Sequence, residues 1–260
     1  MLKRIFTVCF IAFTCELLAQ DAALVRPKLF RMDQVIHPRV ANMAVPEIHP
    51  EMSGIKMIVS SSSPKAREHV RQGFSMVHAQ WDFEAYRHFC AALQQDPDCI
   101  LAYCGVALSL VDSHGESVSY RNAAVSRMID LIEVDEKLLK EGKSGCFPRI
   151  ERQFAFAVAS LITSSPKTAA AMMKVMADSY PKTLQPKLFG AFLSRGSYDM
   201  LGNASKQRAK AVGIIRGLLE KHPANPLVLG FWLSLHAEAP IGIEFIKKEV
   251  LPEARKLVEM

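Results

Sequence analysis

Three prolines in this chain close stretches that carry the same spacing of small and large apolar residues, and this recurrence narrows the available folds more than any other feature. Counting back twelve, eight and five residues from Pro97 gives Ala85, Phe89 and Ala92. The same steps from Pro181 give Ala169, Met173 and Met176, and from Pro223 they give Ala211, Ile215 and Leu218. Residues three and four apart share one face of a helix, so each proline ends an amphipathic helix with a small residue at its tight crossing. Each is followed within a few residues by another apolar helical stretch, at 100–110, 183–193 and 226–236. The unit is a helix–turn–helix hairpin. One hairpin cannot bury its own apolar face, so stacked hairpins must share a continuous core.

Composition agrees. Half of the 260 residues are hydrophobic, enough for a sizeable core, and 14 Phe and 12 Met against 5 Tyr and 2 Trp is unlike the β-branched and large aromatic content of a β-sandwich. Local signals place the first hairpin. Ser63-Pro64 offers a capping hydroxyl and a first-turn proline, and the next helix carries Val70, Phe74 and Val77 on one face with Gly73 beside them for close approach. Trp81-Asp82 forms the turn, and the second helix stops at Asp96-Pro97-Asp98. Five hairpins are expected, at about 65–95, 98–140, 148–180, 183–221 and 224–258, with 140–145 looping out of an over-long second hairpin.

Gly73, Ala85, Phe89, Ala92 and Pro97, with Tyr103 in the following helix, resemble the tetratricopeptide repeat, a helix–turn–helix of about 34 residues. The stretch 96–108 is the most specific part, and it resembles a subgroup of bacterial tetratricopeptide repeat proteins whose later repeats are degenerate. The pieces 147–152, 177–181 and 222–238 are similar to that subgroup too, so the likeness runs over residues 64–250. It implies an all-α, right-handed α-solenoid that acts as a scaffold and binds a protein or peptide in a concave groove lined by the first helices. His69, Gln72, Met76, Tyr103 and Trp232 are the groove candidates. No cofactor is implied.

Residues 1–20 read as a signal peptide: Lys3 and Arg4 precede an apolar run at 5–14 too short to span a bilayer, and small residues follow at 19–23. Export to the periplasm or outside the cell follows, with no integral membrane span in the mature chain. Residues 21–62, with Pro27, Pro38, Pro46 and Pro50 and no helical period, read as an extended leader or linker. Residues 63–260 are the repeat domain. Its end at Met260 without a polar capping helix suggests that the chain continues or that a partner covers the last apolar face. Four cysteines remain in the exported part, allowing a bridge such as Cys90 with Cys104 or Cys99 beside the alternative of buried free thiols. No pair has zinc-knuckle spacing, and His37 and His49 lack a carboxylate constellation, so no metal is expected.

Catalytic signatures are sparse. Ser62-Ser63-Pro64-Lys65 and Ser164-Ser165-Pro166-Lys167 match Ser-x-x-Lys, but both fall at helix starts without the partner motifs of penicillin-binding enzymes. Gly213 and Gly217 read as a packing contact between helices. A formal charge of +6 is spread among 32 basic and 26 acidic residues, and the cluster Lys206, Arg208, Lys210, Arg216 and Lys221 lacks interleaved aromatics, so nucleic acid is not an expected partner. His69, His78 and His88 flank the first turn with Trp81. Beside the scaffold reading stand two others: a small-ligand protein or enzyme with a pocket between the second hairpin and the leader, and a structural subunit of an envelope assembly.

Overall fold

Hydroxyl caps and prolines set several helix starts. In the computed structural model, which describes residues 30–50, 57–237 and 243–259, the Ser63 hydroxyl accepts the Ala66 N–H at the start of α1 (Pro64–His78). The remaining helices are α2 (Asp82–Gln95), α3 (Ile100–Ser109), α4 (Ser117–Lys140), α5 (Arg149–Thr163), α6 (Pro166–Ser179), α7 (Leu184–Leu193), α8 (Lys206–Lys221), α9 (Pro226–Ala237) and α10 (Leu251–Val258), the last preceded by a π-helical turn at Ile246–Val250. Ser165 and Ser205 cap α6 and α8 in the same way as Ser63. The Ser-Ser-Pro-Lys stretches are therefore helix starts. The described residues are all-helical apart from an isolated bridge between Tyr198 and Ala204. The expected signal peptide at 1–20 lies outside them.

Consecutive helices pack in pairs at the expected places, and each pair packs on the next. Ala85, Ala169 and Ala211 are buried at the crossings, and Phe89, Met173 and Ile215 are buried one turn later. Phe89 occupies a slot between α1 and α3 that two missing side chains create. A Cβ on Gly73 would stand 2.7 Å from its ring, and one on Gly105 only 2.1 Å. Neither neighbour can carry a side chain without moving the ring.

The first helices of the hairpins converge. Phe74 of α1, Phe154 of α5, Phe189 of α7, Phe231 of α9 and His78 of α1 form a closed circuit of rings, with centroids 5.8, 5.9, 5.4 and 5.0 Å apart in that order and 6.4 Å from His78 back to Phe74. Edge-to-face arrangements dominate, the geometry that aromatic quadrupoles favour. The fifth pair thus touches the first: a Cβ on Gly230 would lie 3.0 Å from the His78 carbonyl oxygen, and the Gln80 amide donates to the Ser234 hydroxyl at 3.2 Å.

The leader differs from a free linker. It forms a 3-10 turn at Met32–Gln34 and a helical turn at Pro38–Ala41, and Val35, Ile36 and Val59 are buried in the shared core. Its turns are too short to show helical periodicity in sequence. Gly213 and Gly217 depart from the packing role expected of them, since a Cβ on either would meet nothing. These two kinds of glycine give opposite expectations. Gly105→Ala should destabilise the protein by on the order of 1–3 kcal/mol through overpacking. Gly213→Ala should stabilise it by up to about 1 kcal/mol through helix propensity. Urea denaturation of the two variants checks both signs.

Candidate functional site

Side chains from three helices reach the main chain of the leader. The Tyr86 hydroxyl donates to the Val35 carbonyl at 2.7 Å and accepts the His37 N–H at 2.9 Å. Arg87 donates to the Ala44 carbonyl at 2.8 Å, Gln72 accepts the His49 N–H at 3.1 Å, and Arg71 donates to the Met57 carbonyl at 3.2 Å. Glu151 of α5 then takes both donors of Ser60, the N–H at 2.8 Å and the hydroxyl at 2.5 Å. Ser61 donates to Asp96 just beyond. The leader therefore crosses α2 and α1 and ends over the N-terminal rim of the first helices.

Beneath Met57 and Ile58 that rim encloses a cavity of about 110 Å³. Leu101, Ile150, Glu151, Phe154, Met176, Thr183, Gln185 and Pro186 form the rest of its wall, so it lies against α3, α5, α6 and α7. Its lining is mainly apolar, and two buried polar groups interrupt it. Burial pushes the Glu151 carboxyl above the usual carboxylate range, and the hydrogen bonds from Ser60 oppose that shift. The Gln185 amide NH2 has no hydrogen-bond partner among the described residues.

A second polar feature lies between α1 and α2. The Nδ1 atoms of His69 and His88 stand 3.1 Å apart, so one must carry the proton and the other accept it. Burial lowers both rings, and His88 is held down to about 3. His78, inside the aromatic circuit, is likewise lowered to about 3 by burial. These rings are neutral structural groups. Trp81, at the turn beside them, is exposed.

None of the five groove candidates opens to solvent. His69 pairs with His88, Gln72 holds His49, and Tyr103 donates to the Pro97 carbonyl while its ring meets Phe30 at 5.9 Å. Trp232 donates to the Glu249 carbonyl, and Met76 is part of the core. The leader covers Gln72 and Tyr103, α2 covers His69, and the segment before α10 covers Trp232. The cysteines among the described residues are free thiols: Cys90, Cys99 and Cys104 are buried and Cys146 is exposed. Cys104 lies 3.2 Å from the Met128 sulfur rather than in a bridge. On α8, Arg208 is buried, donating to the Leu235 carbonyl and stacking over Tyr198, and Arg216 lies over Trp232. Two of the five basic residues thus serve packing. Among the described residues no three His, Cys, Asp or Glu side chains are placed to hold a metal ion, and no helix is long and apolar enough to cross a membrane.

Glu151 and Tyr86 were not among the expected site residues. A signal for Glu151 exists: it sits three and seven residues before Phe154 and Val158, a charge on an otherwise apolar stripe. Compared with known proteins, the chain matches no protein-family model, no curated protein and no solved structure.

The buried histidines fix the sign of an acid response. Their folded values lie below the unfolded value of about 6.5, so the stability they permit is complete above that pH and is lost as pH falls toward about 3. Each should add a slope of about 1.4 kcal/mol per pH unit below pH 6. In urea titrations at several pH values, His78→Leu should remove one such increment.

Proposed function

We propose that the chain is an exported, tetratricopeptide-like solenoid that binds extended polypeptide, and that its own leader occupies the binding surface in the structure described. One observation carries this reading. Six main-chain groups between Val35 and Ser60 are held by side chains of the helices. Hydrogen bonds to main-chain groups do not specify the side chains of the bound strand, so a different polypeptide can satisfy the same donors and acceptors. The aromatic circuit fills the space between the first helices, which moves the binding surface from an open concave groove to the rim and the flank of the first hairpin. The repeat register and the main-chain contacts together favour a scaffold over an enzyme.

Cleavage in cis tests the idea. A protease site placed between Pro50 and Met57 lets the folded protein be nicked, and the upstream fragment should stay bound and then exchange with an added labelled peptide of residues 30–50. Exchange would be read by fluorescence anisotropy. Unfolding on nicking, or a fragment that never exchanges, would show that the leader is only a structural strap.

A further inference from the structure

The rim cavity contains a buried carboxyl group without a cationic partner among the described residues. Glu151 is only 2% exposed, and no Lys or Arg pairs with it among the described residues. Each of its oxygens receives one hydrogen bond from Ser60 and keeps acceptor capacity. A buried carboxylate with unused acceptors in an apolar wall favours a ligand that supplies positive charge and N–H donors. Gln185 adds a second polar group on the same wall, and its NH2, a donor without a partner among the described residues, calls for an acceptor on the ligand such as a peptide carbonyl.

We propose that this cavity receives a primary alkylammonium group on a short aliphatic stem, with the ammonium at Glu151 and the stem along Met57, Ile150, Phe154 and Pro186. Size selects the ligand. A cavity of about 150 Å³ holds six ring carbons, so 110 Å³ suits about four to five non-hydrogen atoms, the nitrogen and last three or four methylenes of a lysine side chain or short alkylamine. A guanidinium is larger and planar and carries five donors, more than one carboxylate can satisfy. The ammonium's donors fit the two carboxylate oxygens of Glu151, each of which keeps acceptor capacity. The mouth is accessible, since Ile58 at its edge is 71% exposed. The lysine form of this proposal rests on the polypeptide-binding reading, whereas a free alkylamine would use the same chemistry independently.

The test is calorimetric titration of the full chain with n-butylammonium and with Nα-acetyl-lysine methylamide, against the norleucine and arginine derivatives. Either ammonium compound should bind, and the norleucine and arginine derivatives should bind at least about tenfold more weakly. Glu151→Gln should reduce ammonium binding by about tenfold or more. If that variant fails to fold, Ile58→Trp at the exposed mouth should block binding while leaving the circular dichroism spectrum unchanged. Binding of butylammonium without peptide exchange in the nicked protein would keep this site and overturn the polypeptide reading. Equal binding of the norleucine derivative, indifference to both variants, or no binding of either ammonium compound would overturn the proposal, even where peptide exchange occurs.

Discussion

Phe89 sits where three helices meet, and it fits only because residues 73 and 105 have no side chains. That contact sets how closely α1, α2 and α3 approach. Two hairpins along, Met173 faces Gly190 with 3.4 Å between the Met173 Cβ and a Cβ built on the glycine, a looser version of the same fit. Ordinary van der Waals contact replaces the wedge there. The tight end of the array is thus its first half, and the aromatic circuit gathers the remaining first helices onto it.

Filling the interior closes one surface and builds another. Phe74, Phe154, Phe189 and Phe231 bury the face that an open groove would offer to a peptide. In exchange, the N-terminal ends of α3, α5 and α7 are brought to a common rim that the leader crosses. Leu101, Glu151 and Gln185 occupy early positions of their helices, so a single strand passing over that rim meets one residue from each of three hairpins.

The helices and their pairing could be read from sequence because their determinants are local and periodic. Ala85, Phe89, Ala92 and their counterparts are spaced by helix geometry alone, and the serine caps act within three residues. The leader could not be read in this way. Tyr86 meets Val35 across 51 positions, and Glu151 meets Ser60 across 91, through main-chain groups that every residue possesses. The groove candidates failed to reach solvent for a related reason: whether a residue on a first helix is exposed depends on how far the array curls, and closure of α9 onto α1 is a long-range outcome. Arg208 and Arg216 show the same limit, since a charge pattern does not distinguish a solvated guanidinium from one stacked on Tyr198 or Trp232.

The contact of Gly230 with the His78 carbonyl turns a linear succession of hairpins into a loop of interactions. In an open array each unit touches only its neighbours, so the ends fray first and units can be added or deleted with nearly additive effect. Here the first and fifth pairs share a boundary, and removing any intermediate pair would separate surfaces that lie more than 150 positions apart in sequence. Cooperativity then belongs to the ring as a whole. A hairpin could be added to or lost from this chain only if the circuit of rings were rebuilt.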